Sequence, residues 1–354
     1  MYIKKLKLEN FRNYEKQEIE FDKNVNIIYG DNAQGKTNII ESIFVCSLGK
    51  SFRTNKDKEL INKDKEYSRV EMISFKEDRE VKINFEIYNK KSFSVNGIKV
   101  KKTSDVLGKN YVVLFTPEDI NILRNEPSKR RRFLNIIISQ LRPMYVHLLN
   151  QYNKTIEQRN IYLKQIKYER KDVKNLDIWD EQIAKLGIKI YNYRKEFIEK
   201  INEKIIDIHF KITEDNEKIN IKYITNIGEN YLENLKKNRK KDIEKGYTSI
   251  GIHRDDLEIF INENDVSVYG SQGQKRTTII SLKLAEANVI YDEIGQRPII
   301  LLDDFMSELD KKRIQGLFEN IKDNQVIITC TDSFKINNTK YKLFKVTNAK
   351  IESI

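Results

Sequence analysis

The 354-residue sequence is poor in cysteine, proline and tryptophan, and it has no long hydrophobic run. Its two cysteines, Cys46 and Cys330, lie far apart and lack the spacing of metal ligands. We therefore interpret both as small buried hydrophobic residues of a protein in a reducing compartment. No proline occurs between Pro143 and Pro298, which permits long helices there. No segment is apolar enough to cross a bilayer, and the N-terminus, MYIKKLKLENF, lacks the core of a secretion signal. We therefore expect a soluble, cytoplasmic protein without a membrane partner.

Basic residues outnumber acidic ones by 65 to 53, which gives a formal net charge of +12. A positive field concentrates phosphate polymers, so this balance favours a nucleic acid partner over a membrane surface. Lysine, isoleucine and asparagine are abundant throughout, so a compositional bias of the genome is a second explanation for part of the excess.

Hydrophobic periodicity divides the chain into a mixed first part, a helical middle and a mixed last part. From about Pro127, apolar spacings of three and four residues predict long amphipathic helices. Asn96-Gly97 predicts a hairpin turn between SFSV and IKV, and a helix should follow Thr37. Short apolar or alternating runs predict strands at 2–8, 17–21, 25–29, 72–75, 81–87, 111–115, 219–225, 257–262, 299–305 and 325–332.

The segment GDNAQGKT at Gly30–Thr37 matches the phosphate-loop pattern G-x-x-x-x-G-K-[ST]. The predicted strand before it and helix after it supply the required context. Its glycines let backbone N–H groups surround phosphates, Lys36 reaches the β- and γ-phosphate oxygens, and the Thr37 hydroxyl binds Mg²⁺. We therefore predict a site for ATP and Mg²⁺ whose loop residues are Gly30, Asp31, Asn32, Ala33, Gln34, Gly35, Lys36 and Thr37.

The apolar run IILLDDF at 299–305 ends in two acids. A buried parallel strand ending in a carboxylate places that group near the phosphate loop, where Asp303 would hold the magnesium ion. Asp304 should point to the other face of the strand, toward the γ-phosphate and its attacking water, so we assign it as the general base or water-orienting group. The alternative is an ordinary pair of solvated acids at a strand end.

Two further motifs resemble those of ABC-type ATPases. GSQGQ at 270–274 has the form of their signature, and SELD at 307–310 has the form of their D-loop. Phosphate loop, signature, acidic strand and D-loop occur in the order of such heads, with Ser271 following Thr37 by 234 residues. In ABC-type heads the signature caps the nucleotide of a second copy. The resemblance therefore implies an ATP-dependent homodimer in which Ser271, Gly273 and Gln274 contact the γ-phosphate in trans.

Longer segments resemble the RecF family of bacterial DNA-repair ATPases, which are related to SMC proteins. The chain departs from the family pattern at Ile252, where proline is usual, and at Cys330, between the threonines of T-x-T-D. The matching segments run along the whole chain: LKLENFRNY (6–14), YGDNAQGKTNIIESI (29–43), LGKSFRT (48–54), FTPEDINIL (115–123), PSKRRRFLN (127–135), GIHRDDLEI (251–259), GSQGQKRTTIISLKLAEA (270–287), PIILLDDFMSELD (298–310) and QVIITCTD (325–332).

The resemblance implies an α/β, ABC/SMC-type P-loop ATPase head with an inserted helical lobe and no long coiled coil. We expect half of the head at 1–117, the lobe at 118–245, and the other half, with signature, Walker B acids and D-loop, at 246–354. The implied function is ATP-dependent DNA binding in the repair and replication of gapped DNA, with weak DNA-stimulated ATP hydrolysis. Implied partners are double-stranded DNA, single-strand/duplex junctions, single-stranded DNA, RecR and RecO, and functionally RecA.

The same resemblance suggests roles for individual residues. Arg12 corresponds to an early arginine that touches phosphates in SMC-like heads, the alternative being a surface arginine in a turn. Glu118 and Asp119 stand where such heads report the γ-phosphate to the lobe, although the usual glutamine is missing.

Three further residues are placed near the chemistry in the same way. Thr329 and Thr331 are expected to sense the γ-phosphate, and His253 is expected beside the nucleotide. His147 and His209, within predicted helices, are interpreted as structural.

Basic clusters at 129–132 (KRRR) and 236–241 (KKNRKK), with a weaker set at Lys50, Arg53 and Lys56, are candidate DNA contacts. Such clusters are also typical of solvated surfaces. No recognition helix or zinc module is visible, so binding should be to the phosphate backbone and sensitive to salt.

Three other functions were weighed. The nucleotide-binding subunit of an ABC transporter would share the signature and acidic strand, but the central helical segment, the absent switch histidine and the basic charge oppose it. The head of a coiled-coil SMC-like protein would need hundreds of residues of heptads between phosphate loop and signature. A DNA-binding module without ATPase activity leaves Lys36 and Asp303 unexplained.

Overall fold

The computed structural model describes residues 1–124, 126–213, 217–228, 230–334 and 340–354. The chain forms two compact units. The first comprises Met1–Ile120, Asp207–Asn216 and Gln272–Ile354, and the second comprises Asn121–Ile206 and Glu217–Ser271. Residues 246–271, which the sequence-based division assigned to the head, therefore lie in the second unit, because strand Asp256–Ile261 pairs with strand Ile219–Ile224.

The helices and strands are numbered in chain order. The strands are β1 (Tyr2–Phe11), β2 (Tyr14–Glu20), β3 (Val25–Tyr29), β4 (Ser68–Lys76), β5 (Arg79–Ile87), β6 (Lys91–Val95), β7 (Ile98–Lys99), β8 (Val112–Phe115), β9 (Ile219–Ile224), β10 (Asp256–Ile261), β11 (Asn264–Asp265), β12 (Ile299–Asp303), β13 (Val326–Cys330), β14 (Tyr341–Thr347) and β15 (Lys350–Ser353). The helices are α1 (Lys36–Leu48), α2 (Pro127–Leu141), α3 (Pro143–Glu169), α4 (Leu176–Thr213), α5 (Tyr231–Lys237), α6 (Arg239–Lys245), α7 (Val266–Tyr269), α8 (Gln272–Ile294) and α9 (Lys311–Ile321).

A six-stranded sheet forms the centre of the first unit, in the order β15-β14-β3-β13-β12-β8. From β14 to β8 every neighbouring pair is parallel, and only β15 is antiparallel. Strands β3, β8, β12 and β13 are buried almost throughout, which agrees with their continuous apolar runs. Their carboxyl ends share one edge, which is where ligands bind in parallel sheets. Strand β13 lies between β3 and β12, so the acidic strand is not the direct neighbour of the strand before the phosphate loop.

A second, antiparallel sheet of the first unit has the order β2-β1-β4-β5-β6-β7. Strands β1 and β4 pair from Tyr2 with Phe75 to Glu9 with Arg69. The predicted hairpin is confirmed, since Val95 pairs with Ile98 and Asn96 and Gly97 both have positive φ, 50° and 81°. That backbone favours asparagine and glycine at the two turn positions.

The second unit contains the predicted helical lobe, together with a small sheet in the order β11-β10-β9. Helices α2, α3 and α4 follow one another with short connections. In the described part of the chain, no helix is both long and apolar enough to span a bilayer.

Buried ion pairs hold the second unit together. Arg159, fully buried, donates to Asp180 and Asp242 at 2.7 Å each. Arg194, 1 % exposed, donates to Asp255 at 2.7 Å. Asp255 also accepts bonds from Tyr223 and Thr225, so its carboxylate is fully hydrogen-bonded. Buried charges are tolerated where they are paired in this way.

Replacing Asp255 by alanine should lower the free energy of unfolding of the second unit by about 3–5 kcal/mol, because the Arg194 charge would stay buried without its partner. The single tryptophan, Trp179, packs in this unit against Leu163, Ile166 and Leu176, so urea unfolding followed by its fluorescence measures the effect.

Glu181→Ala is the matched control, since Glu181 is an exposed acid of the same unit. It should change the free energy by less than about 0.5 kcal/mol. Equal unfolding midpoints for the two variants would show that the buried network contributes nothing.

Candidate nucleotide-binding site

The segment Gly30–Gly35 leaves β3 and enters α1 in a conformation that its glycines permit. Gly30, Ala33 and Gly35 have φ values of 154°, 64° and 114°. A side chain at Gly35 would lie 2.7 Å from the Asn13 amide, and one at Gly30 would collide with the carbonyl oxygen of Val346. The loop therefore needs glycine at both ends, as a phosphate-binding loop does.

Lys36 is the first residue of α1 and is 3 % exposed. Its Nζ donates to the carbonyl oxygens of Gly30 at 2.5 Å and Asp31 at 3.1 Å, so the ammonium lies within the loop. Asp31, Asn32 and Ala33 are exposed. A helix N-terminus behind a curled loop with an internal lysine is a site for anions.

The side chain of Gln34 ties the loop to the turn between β14 and β15. Its Oε1 accepts from the Asn348 amide at 2.5 Å, and its carbonyl oxygen accepts from the Ala349 amide at 3.2 Å. Gln34 thus supports the loop from behind, which the sequence did not predict.

Thr37 and Asp303 meet as predicted. The Thr37 hydroxyl donates to Oδ1 of Asp303 at 2.9 Å, and the buried Thr329 hydroxyl donates to the same oxygen at 2.8 Å. Burial is the main influence and raises the pKa of Asp303, while the bonds from Thr329 and Thr37 act against it. A hydroxyl and a carboxylate in contact beside a phosphate loop are the oxygen donors that Mg²⁺ prefers, so these residues fit the ion.

Asp304 lies just beyond the end of the strand, so strand alternation does not decide where it points. Strand β12 ends at Asp303, and Asp304 adopts a left-handed conformation with φ 49° and ψ 16°. Its amide donates to the Thr329 hydroxyl at 3.0 Å.

Thr329 therefore positions Asp303 and the turn at Asp304. Its hydroxyl is buried, donates to the Asp303 carboxylate and accepts from the Asp304 amide, and its expected role in sensing a γ-phosphate stays a prediction. Thr331 is exposed and donates to Asp332.

Arg12 lies in the turn between β1 and β2 with φ 55°. Its neighbours hold this turn against the phosphate loop: Asn13 donates to the Gln34 carbonyl at 3.1 Å and Tyr14 to the Gly35 carbonyl at 3.2 Å. The predicted phosphate-contacting arginine is therefore within the nucleotide-binding region of the first unit.

Glu41 of α1 is a residue that the sequence analysis missed. Its carboxylate is fully buried and accepts two bonds from Arg12, at 2.7 and 2.8 Å, and one from Ser51 at 2.5 Å. Arg53 adds a bond at 3.3 Å. An acid within the apolar run NIIESIFV is the signal that could have found it, because such a carboxylate needs cationic partners.

A polar cavity of about 720 Å³ adjoins these arginines. It is a shallow depression that is open to solvent. The residues that line it include Arg12, Asn13, Asn38, Arg53, Glu59 and Asn62.

The signature begins at the junction of the two units. Ser271 is the last residue of the second unit, and α8 starts at Gln272, so Gly273 and Gln274 lie in the first turn of the helix. Ser271 and Gln272 are exposed. The Thr277 hydroxyl donates to the Gly273 carbonyl at 3.0 Å, and Arg313 of α9 donates to Thr277 at 2.8 Å. Helix α9 follows the D-loop, and through Arg313 and Thr277 it supports the first turn of the signature helix.

Asp119 contacts α8, whereas Glu118 is exposed. Asp119 accepts from the Thr116 amide at 2.7 Å and lies 3.8 Å from Nζ of Lys283. Lys283 is buried beside Glu286, whose pKa is raised by burial. This cluster connects the residues after β8 to the signature helix.

The HRDD segment at 253–256 belongs to the second unit. His253 is held by Tyr152 at 3.0 Å and by the Thr248 carbonyl at 3.0 Å, and burial lowers its pKa. The expectation that His253 lies beside the nucleotide stays a prediction. His209 is structural, with Nδ1 2.9 Å from the Ser281 hydroxyl, whereas His147 is exposed.

Arginines of the two larger basic clusters form ion pairs within the second unit. Arg130 is buried and forms two bonds with Asp256, at 2.5 and 2.8 Å. Arg239 donates to Asp177 and Asp180. These arginines stabilise the lobe, and the lysines around Arg239 are the exposed members of that cluster.

Comparison with known proteins agrees with the site and extends to the whole chain. Residues 5–209 match the family model described as an AAA domain. The chain is 44 % identical to the DNA replication and repair protein RecF of Clostridium botulinum (strain Langeland), over 100 % of both chains. It is 43 % identical to the protein of that name from Clostridium acetobutylicum, over 99 % of both chains.

The chain is also similar to solved structures of RecF proteins. The recombination mediator protein RecF-ATPrS in the RecFOR pathway superposes with a TM-score of 0.93 at 38 % identity, over 100 % of this chain and 98 % of that chain. The RecF-ATP structure gives a TM-score of 0.91 at 38 % identity, over 100 % and 97 %. An Smc head domain from Pyrococcus furiosus shares the fold, with a TM-score of 0.58 at 19 % identity over 100 % and 96 %. The predicted ATPase-head fold with a helical lobe is therefore confirmed.

Replacing Glu41 by glutamine should lower the free energy of unfolding of the first unit by about 2–3 kcal/mol, because the bonds from two guanidinium groups lose their charge assistance. Arg12 would also lose its anchor beside the phosphate loop, so ATP affinity should fall. Calorimetric unfolding and nucleotide titration measure the two effects.

Glu59→Gln is the control, since Glu59 contacts Arg12 through its backbone carbonyl, at 2.6 Å. It should leave both measurements near their wild-type values. Wild-type unfolding and nucleotide affinity in Glu41→Gln would show that the buried carboxylate holds neither arginine in place.

Proposed function

Since the chain belongs to the RecF family of DNA replication and repair proteins, we propose that it is an ATP-dependent DNA-binding protein that acts in recombinational repair and replication of gapped DNA. The observation that carries this proposal is the contact between Thr37 and Asp303 beside a glycine loop that encloses Lys36. Such a site binds a nucleoside triphosphate.

Lys36 and the loop residues 30–37 bind the phosphates, and Thr37 and Asp303 hold a magnesium ion. When bound, the ion neutralises phosphate charge. The hydrogen bond from Thr329 fixes the carboxylate of Asp303 before any ligand arrives, so little reorganisation is needed.

Asp304 is assigned as the group that orients or deprotonates the attacking water. Its left-handed turn fixes its backbone beside Asp303, and the Thr329 hydroxyl holds its amide. Hydrolysis is weak and DNA-stimulated, which suits a switch whose bound state matters more than turnover. Arg12, anchored by Glu41, contacts the phosphates from the side of the β1–β2 turn.

ATP binding promotes a homodimer in which Ser271, Gly273 and Gln274 of one copy contact the γ-phosphate held by the other. The exposed position of Ser271 at the start of α8 supports this, because a helix N-terminus there can meet an anion. Nucleotide binding and dimerisation then strengthen each other through linkage.

The dimer binds duplex DNA, single-strand/duplex junctions or single-stranded DNA through phosphate contacts, and it works with RecR and RecO to assist RecA. The RecFOR pathway named for the related solved structures supports these partners. A transporter subunit is not favoured, since the relatives are DNA repair proteins. ATP hydrolysis stimulated by DNA rather than by a membrane component discriminates the two.

Sedimentation of the wild type with ATP and duplex DNA should show a dimer. Lys36→Arg should stay monomeric because it binds nucleotide poorly, and Ser271→Arg should bind nucleotide and also stay monomeric. A mixture of the two variants should recover part of the dimer, because the phosphate loop of one and the signature of the other form one intact site.

A wild type that remains monomeric with ATP, with unchanged DNA affinity, would overturn the proposed mechanism. A mixture that sediments as the sum of its two separate components would show that the signature does not act in trans.

Asp303→Asn should raise the midpoint of thermal unfolding in the absence of nucleotide. Its pKa is higher in the folded than in the unfolded chain, so the ionised carboxylate costs stability at all pH values above its folded pKa. The same change should abolish the Mg²⁺ dependence of ATP binding and reduce hydrolysis by at least about 100-fold.

Asp304→Asn is the paired variant, since asparagine tolerates the left-handed backbone. It should keep Mg²⁺-dependent ATP binding but lower hydrolysis by about 10²–10⁴. If Asp303→Asn retained full Mg²⁺ dependence, or Asp304→Asn full hydrolysis, the corresponding assignment would be wrong.

A further inference from the structure

The strongest concentration of unpaired positive charge in the antiparallel sheet lies in residues 88–102, YNKKSFSVNGIKVKK, which we call the lysine hairpin. It contains five lysines and no acidic residue. The sequence analysis did not select it, because its lysines are spread over both strands of a hairpin. In the structure β6 and β7 bring them together at one edge of the sheet.

The hairpin is rigidly attached to the sheet. Ser94 pairs with Lys99 across β6 and β7, and the Asn96 amide and side chain exchange two hydrogen bonds of 2.8 Å with the backbone of Lys82. Phe93, which is buried, packs on Phe85 with ring centroids 5.0 Å apart. The lysines are therefore presented by a fixed backbone, so little conformational entropy is lost when a partner binds.

Most of these charges have no acidic partner. Lys91 lies 3.1 Å from Asp57 and forms an ion pair. Among the described residues no carboxylate forms an ion pair with the ammonium groups of the other four, although Asp105 accepts from the Lys102 amide at 3.0 Å. These four are exposed: Lys90, Lys99, Lys101 and Lys102. Elsewhere in the same sheet lysines are commonly paired, as Lys5 is with Glu18 and Lys82 with Glu71. The lysine hairpin is thus an uncompensated positive surface.

We propose that the lysine hairpin is a contact surface for the phosphate backbone of duplex DNA. The inference rests on the proposed DNA-binding function and adds a specific place to it. Lysine ammonium groups are point charges that contact phosphates without selecting bases. The hairpin therefore contributes sequence-independent, salt-sensitive affinity.

The competing explanation is that the lysines only protect a sheet edge from pairing with other chains. Two neighbouring side chains argue against it. Ile98 is 74 % exposed on the short edge strand, and Tyr88 is 62 % exposed at the start of the hairpin. Lysines that served only to prevent edge-to-edge pairing with other chains would not be accompanied by large exposed apolar side chains.

The test is the DNA affinity of the full chain, with ATP present, as a function of salt concentration. In the test variant the four unpaired lysines are changed to glutamine: Lys90→Gln, Lys99→Gln, Lys101→Gln and Lys102→Gln. The matched control removes the same charge from four exposed lysines elsewhere in the first unit: Lys16→Gln, Lys23→Gln, Lys211→Gln and Lys322→Gln.

We expect the hairpin variant to bind mixed-sequence duplexes more weakly at low salt. The negative slope of log affinity against log salt should become less steep by about 2–4, since each phosphate-contacting lysine contributes about 1. The control should keep a slope within about 1 of the wild type. Neither variant should change ATP hydrolysis without DNA, because none of these residues lies in the nucleotide site.

A hairpin variant whose DNA affinity has the wild-type dependence on salt overturns the proposal, even if the variant also self-associates. An equal loss of slope in both variants also overturns it, because net charge alone would then explain the effect. A wild type that binds no DNA with ATP would instead contradict the proposed function itself, so the two failures are distinguishable.

Discussion

One hydrogen-bonded group, Thr37–Asp303–Thr329, connects the three strands on which the nucleotide site depends. Thr37 follows β3 and starts α1, Asp303 ends β12, and Thr329 lies in β13 between those strands. Because the strands are parallel, their carboxyl ends meet at one edge, and distant segments of the chain arrive there together. Burial makes the Asp303 carboxylate costly unless it is satisfied, so the two hydroxyls stabilise the arrangement until a cation is bound.

Much of this architecture could be predicted from the sequence, because it depends on local patterns of apolar residues and glycines. The apolar runs of β3, β12 and β13 and the glycine spacing of the phosphate loop predict both the sheet and the loop. Local patterns did not predict the left-handed turn at Asp304, which begins immediately after the strand. Strands β14 and β15 were missed because KLFKVTNAKIES mixes lysine with apolar residues and carries no long hydrophobic run.

Local patterns could not predict which residue pairs with each charged side chain. Glu41 and Arg12 are separated along the chain, and only the fold shows that one buried carboxylate holds the guanidinium. Likewise the sequence showed Arg130 as part of a basic cluster and His253 as part of a family motif. In the structure Arg130 is buried and paired with Asp256, whereas His253 is hydrogen-bonded to Tyr152.

The packing of Gly30 against Val346 has a consequence for biosynthesis. Strand β14 pairs with β3, and the β14–β15 turn bonds to Gln34, so the phosphate loop is supported by a residue that follows it by 314 positions in the chain. A ribosome-bound chain lacking β14 cannot complete this sheet. The phosphate loop therefore reaches its supported conformation only after β14 and the following turn have been synthesised.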